Sequence, residues 1–188
     1  FQDVYCDYQL VANHIYNFMK REYMERFYLA VSRKFEGYEN LPSVLEQLEQ
    51  QMEEKFYHPD KHIFTNEDDP LNMAVGEVQD SQIMQAISED ITRKDTEQLQ
   101  KHFECLKEKY HDNTQYSAMY IKFVFSNVIQ ELFQENQFSG ERRLEHEIER
   151  LYNCRNIKEI LSVTEDNIKE YEAFLELSLI HISEPTRP

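Results

Sequence analysis

Ser117-Ala-Met-Tyr-Ile-Lys-Phe-Val-Phe-Ser-Asn-Val-Ile-Gln-Glu-Leu-Phe133 is the most apolar stretch of the chain. Its apolar residues Tyr120, Ile121, Val124, Phe125, Val128, Ile129, Leu132 and Phe133 recur at intervals of one, three and four. On a 3.6-residue helix they cover a broad face, so the stretch reads as a central helix packed on several neighbours, and Ser117 supplies the side-chain oxygen an N-cap needs.

Working outward from this helix, the second half of the chain continues in the same pattern. Asp80 can cap a helix carrying Ile83, Met84, Ile87 and Ile91. Asp95, with Gln98 three residues on, makes a capping-box signal before Leu99, Phe103, Leu106 and Tyr110. Ser139-Gly140 breaks the central helix from a charged one marked by Leu144, Ile148 and Leu151. Asn156 and Glu159 cap a last helix bearing Ile157, Ile160, Leu161, Ile168, Tyr171 and Phe174. Residues 80–176 therefore read as an antiparallel helical bundle.

The first half is mixed. Leu10, Val11, Ile15, Phe18, Met19 and Tyr23 mark a helix from Leu10 to Met24. The β-branched and aromatic run that follows predicts a strand from Arg26 to Arg33. Pro42 sits at the start of a helix expected to reach Phe56, with Leu41, Val44, Leu45, Leu48 and Met52 as its buried stripe. His58-Pro59-Asp60 stops that helix, and Lys61–Thr65 suits a short strand. Residues 67–79, with Glu67-Asp-Asp-Pro70 and Gly76, lack sustained periodicity and read as a linker. The fold class is mainly α, α+β overall: a short incomplete sheet with its helices over 1–66, then the bundle.

Composition supports a helix-rich, folded chain: 188 residues with 40% hydrophobic and 13% aromatic side chains, but three Gly and five Pro. That is too few turn formers for a sandwich or barrel. A net charge of −16 disfavours binding of a phosphate backbone by this stretch, because its field repels a polyanion. No window approaches the roughly 20 apolar residues that span a bilayer, so no membrane partner is expected. Cys6, Cys105 and Cys154 are odd in number and widely spaced, which favours reduced, mostly buried thiols and a cytoplasmic setting.

The ends carry their own signals. The chain begins at Phe1 without an initiator Met and reads as a cut edge. Leu177-Ser-Leu-Ile-His-Ile-Ser-Glu-Pro-Thr-Arg187 resembles the in-frame translation of a transposase adapter used in sequencing-library preparation, so residues 177–188 are set aside from functional reading.

Candidate chemistry is sparse. His58 and His62 flank Pro59, which breaks the helix that a His-x-x-x-His metal pair would need, so a solvated turn is expected. His102, His111 and His146 lack a sequence partner that would define a nucleophile or base. The carboxylates of Glu53-Glu54, Glu67-Asp68-Asp69 and Glu145/Glu147/Glu149 lack the spacing and glycine of a Ca²⁺ loop. Arg142, Arg143, Arg150 and Arg155 alternate with glutamates and are expected to pair within their helix. No catalytic, cofactor-binding or metal residue is assigned, and no cofactor is expected.

Phe27-Tyr-Leu-Ala-Val-Ser-Arg33, Glu39-Asn-Leu-Pro42, Glu54-Lys-Phe-Tyr57 and His62-Ile-Phe64, in that order, resemble the C-terminal part of a degenerate GGDEF-like domain. Tyr120-Ile-Lys-Phe123 and Glu147-Ile-Glu-Arg-Leu-Tyr152 lie in helices that resemble the region preceding an AraC-type DNA-binding domain in two-component response regulators of Gram-positive bacteria. The resemblance implies a relay or dimerisation segment whose partners are other domains of the same polypeptide and a second copy, with DNA contacted only through a C-terminal domain absent here. Gln47–Tyr57 departs from the Ala-Asp-x-Ala-Leu-Tyr pattern of active diguanylate cyclases, which favours a non-catalytic domain. The alternatives are a fragment of a diguanylate cyclase-like enzyme and a helical protein-interaction adaptor.

Overall fold

The computed structural model describes residues 7–23, 27–65, 77–111, 113–135 and 141–182. The chain divides into two compact units, Phe1–Asn72 and Met73–Pro188. It is mainly α-helical with one small parallel sheet.

In the first unit, α1 (Tyr8–Tyr23) starts where the Asp7 carboxylate accepts the main-chain N–H groups of Gln9 and Leu10, at 3.0 and 3.2 Å. This satisfies donors that no earlier turn can reach, and it places the helix start two residues before the expected Leu10. Strand β1 (Leu29–Val31) is shorter than the expected Arg26–Arg33 strand; Arg26 lies outside the described residues. It pairs in parallel with β2 (Ile63–Thr65), Leu29 opposite Ile63 and Val31 opposite Thr65. Only three residues of each strand meet, so the ladder ends there although the β-favouring composition runs on.

Parallel neighbours need a crossover, here α2 (Leu41–Glu53) between two short 3₁₀ turns, Tyr38–Asn40 and Glu54–Phe56. Pro42 lies in its first turn, as expected. The apolar stripe of α2 is only partly buried: Leu41 is 42% and Leu45 51% exposed, while Gln51 is buried. Two three-residue strands are too small to cover a four-turn helix. Phe56, Tyr57 and Phe64 form the packed centre of this unit, with Ala12 of α1.

Among the described residues the second unit is a bundle of five helices: α3 (Glu77–Arg93), α4 (Thr96–His111), α5 (Ala118–Glu135), α6 (Glu141–Tyr152) and α7 (Ile157–Ile182). Helix α3 begins three residues before Asp80, inside the stretch expected as linker; residues 66–76 of that stretch lie outside the described residues, as does the break expected at Ser139-Gly140. Helix α7 runs past Glu176 to Ile182, because Leu177-Ser-Leu-Ile-His-Ile182 has no Gly or Pro to stop it.

Three expected caps form. Asp95 accepts from the Gln98 N–H at 3.1 Å, Ser117 from Tyr120 at 3.2 Å, and Asn156 from Glu159 at 3.0 Å, with the Glu159 carboxylate reaching back to the Arg155 N–H at 2.7 Å. The α3–α4 turn has the pattern of a Schellman motif. Lys94 stands at φ 58° and donates to the Ile91 carbonyl, and Asp95 donates to that of Asp90.

Contacts between helices run in opposite residue order. Gln100 meets Glu172 while Lys107 approaches Glu165, so α4 and α7 are antiparallel. Arg143 meets Glu170 while Arg150 meets Asp166, so α6 and α7 are as well. Helix α5 packs against α3, α6 and α7. Its Ile121, Val124, Phe125, Val128, Ile129 and Leu132 are buried, and Phe125 meets Phe103 and Tyr110 of α4 edge-on. This is the central role its pattern predicts.

Candidate interaction surface

The side chains singled out from the sequence are brought together differently from expectation. His62 is not part of a solvated turn: its ring stacks on Tyr16 at 5.0 Å and lies 5.5 Å from Tyr28, and its Nδ1 is buried with no hydrogen-bond partner. His58 is exposed. The tertiary stacking of α1 against β2 pulls one histidine in and leaves the other out, so the two do not form a metal pair. Among the described residues no group of three His, Cys, Asp or Glu side chains could hold a metal ion.

His102 has a carboxylate partner after all. Its Nδ1 lies 2.5 Å from Oδ2 of Asp90, a buried residue on α3. The two are twelve apart in sequence and meet because the α3–α4 hairpin folds back. His146 also lies beside a carboxylate, 3.2 Å from Glu147. His111 is exposed.

Arg143 and Arg150 depart from the expected purely intrahelical pairing; the side chain of Arg142 lies outside the described residues. Arg143 pairs with Glu170, and Arg150 with Asp166 at 2.9 Å, both across to α7; Arg150 pairs within its own helix only with Glu147, at 3.3 Å. The hydrogen bond to Asp166 holds the Arg150 guanidinium above its ordinary value against the opposing effect of burial. Glu147 is no solvated carboxylate. Burial pushes its carboxyl up, but hydrogen bonds from Asn167, His146 and Arg150 outweigh that and hold it below the ordinary range. The Asn167 amide that donates to it, at 3.1 Å, belongs to a buried residue. These groups are consumed in fastening α6 to α7.

A groove of about 640 Å³ between α6 and α7 is lined by His146, Arg150, Asn153, Cys154, Glu159 and Ser162 among others. Its one thiol is unreactive in character: burial pushes Cys154 up, Glu159 adds to the effect, and the thiol donates to the Arg150 carbonyl at 3.4 Å. Cys105, expected to be buried, is exposed; Cys6 lies outside the described residues.

The most distinctive surface is on α1. Ala12 is buried, and Tyr16 and Met19 are half-buried, so this side faces the sheet. At 100° per residue, Tyr8, Val11, Ile15 and Phe18 form a second apolar stripe beside it. They are 50%, 42%, 47% and 53% exposed. Their spacing of three, four and three is that of a helix-pairing seam. Among the described residues β1 and β2 have one neighbour each, so both outer strand edges are open. Sequence reasoning placed Val11, Ile15 and Phe18 on one helical face and did not include Tyr8; the narrowness of the sheet leaves the four outside.

No protein-family model, curated protein or solved structure matches the chain. Among the described residues, no helix is long and apolar enough to cross a membrane.

Proposed function

We propose that this chain is a non-catalytic relay and dimerisation segment of a bacterial transcription regulator, a cytoplasmic two-component response regulator whose AraC-type DNA-binding domain lies outside residues 1–188. Its partners are other domains of the same polypeptide and a second copy. The observation that carries this reading is the surface of the first unit: an apolar helix stripe at pairing spacing beside two open strand edges. Such a surface suits another folded element, because a row of large apolar side chains gains free energy when another packed surface removes it from water. The order of motifs in the sequence supplies the regulatory setting.

In this reading the two units transmit a signal through packing, and the relay requires two arrangements whose balance the upstream signal shifts. The complete reading frame tests it. A receiver domain before Phe1 and a pair of helix-turn-helix motifs after Glu176 are the expected result. An intact Gly-Gly-Asp/Glu-Glu-Phe run upstream would overturn it in favour of a diguanylate cyclase, and a frame with neither flanking domain would leave a helical adaptor.

A further inference from the structure

We propose that the uncovered stripe of α1 is a self-complementary seam that pairs antiparallel with α1 of a second copy of this chain. The inference deepens the relay and dimerisation reading and rests on it for its biological meaning, but its geometry stands alone.

Three observations select this occupant. The spacing of Tyr8, Val11, Ile15 and Phe18 matches the seam by which one helix packs along another, rather than the alternation that a strand would read. The ends of α1 differ in charge: Asp7 stands at its start, and its last turn holds Lys20 and Arg21, the latter paired with the neighbouring Glu22 at 3.0 Å, so Lys20 carries the net basic charge. Antiparallel pairing sets Asp7 of one copy toward Lys20 of the other, and also opposes the helix dipoles favourably. Parallel pairing would set the basic ends against each other. Finally, the four side chains expose roughly 400 Å² per copy, about half the ~800 Å² per partner of a standard interface. A reversible dimer is therefore expected.

In the antiparallel register centred on Asn13, Tyr8 of one copy meets Phe18 of the other and Val11 meets Ile15. This can be read out directly. Sedimentation equilibrium of the 188-residue chain across the micromolar range is expected to show a monomer–dimer equilibrium. Ile15→Asp and, independently, Phe18→Asp should each weaken it roughly 30-fold or more. Both positions are about half exposed, so helicity and the melting of the second unit should be unchanged. In a Cys6→Ser/Cys105→Ser background, a mixture of Tyr8→Cys and Phe18→Cys chains should form an inter-copy disulfide, whereas Tyr8→Cys alone should not.

A strictly monomeric chain, a dimer insensitive to both substitutions, or efficient Tyr8→Cys self-crosslinking would each overturn the proposal. If the chain is monomeric but the extended reading frame supplies the flanking receiver and DNA-binding domains, the seam belongs to other parts of the same polypeptide. The relay reading then survives and this one does not.

Discussion

The Tyr171 hydroxyl on α7 donates to the main-chain carbonyl of Ile91 in the last turn of α3, at 2.8 Å, in a buried setting 80 residues distant in sequence. The carbonyl belongs to a helix end, where four C=O groups lack an intrahelical donor. Lys94 also donates to it, at 3.1 Å.

Tyr171→Phe removes the hydroxyl while leaving the ring. Because the Lys94 bond remains, the carbonyl is not orphaned, and the expected loss is about 1 kcal/mol, the typical net worth of one hydrogen bond. Chemical denaturation of the two chains measures it. A loss above about 3 kcal/mol would mean that the ring itself had shifted.

The Asp90–His102 contact is a tertiary fastening of the α3–α4 hairpin. His102→Ala leaves the buried Asp90 carboxylate without that partner and should cost about 2 kcal/mol, with Asp90→Asn/His102→Ala costing less than the sum of the two single changes. A double-mutant cycle by urea denaturation checks this; strict additivity would show that the pair contributes nothing beyond its members.

Glu147 gives the bundle a pH dependence of known sign. Its carboxyl is held below the ordinary value of 4.5, so folding favours the ionised form. The resulting stability is complete above the unfolded-state value and is lost as the pH falls through the lower folded value. Glu147→Gln should be less stable than the parent at pH 7, and the gap should close as acid titration proceeds below about pH 4.5. A gap that stays constant from pH 7 to pH 3 would contradict this account. Asn167→Leu, which deletes the buried amide donor, should narrow the gap from the other side.

Lys94 occupies a left-handed position, φ 58°, where glycine has no Cβ penalty. Lys94→Gly is therefore expected to leave the melting temperature unchanged or raise it, gaining up to about 1 kcal/mol less the extra entropy of an unfolded glycine. A marked loss would indicate that the Lys94 side chain holds the α3–α4 turn by contacts that its backbone does not explain.

The thiols should separate by rate. Cys154 is buried and its thiol pushed up, whereas Cys105 is exposed. In a Cys6→Ser chain, iodoacetamide should label Cys105 quickly and Cys154 only as the bundle opens. Equal labelling rates in the folded state would show the α6–α7 joint to be open.

Much of the bundle was legible before any coordinates. The periodic stripes of α4, α5 and α7, and the oxygen-bearing residues Asp95, Ser117 and Asn156 ahead of them, act within one or two turns, so the chain carries those signals locally. Helix α3 was harder, since it starts without the expected Asp80 cap and stops at a lysine rather than a glycine. In the first unit the same local reading found a shared apolar face on α1 but not what lies against it. Val11, Ile15 and Phe18 have the periodicity of a buried face, but periodicity records only that a face is apolar and not whether anything is present to cover it.

The sequence by itself determined the helical class, the central place of Ser117–Phe133, the short strand composition around Leu29 and Ile63, and the absence of a recognisable catalytic motif. The tertiary structure alone decided which polar groups meet: Asp90 with His102, Arg143 with Glu170, Asn167 with Glu147, and His62 between two tyrosine rings. It also decided that the stripe of Tyr8, Val11, Ile15 and Phe18 stands uncovered. Backbone propensity and capping are settled among neighbours in the chain, whereas ion pairing and burial depend on distant segments arriving at one place.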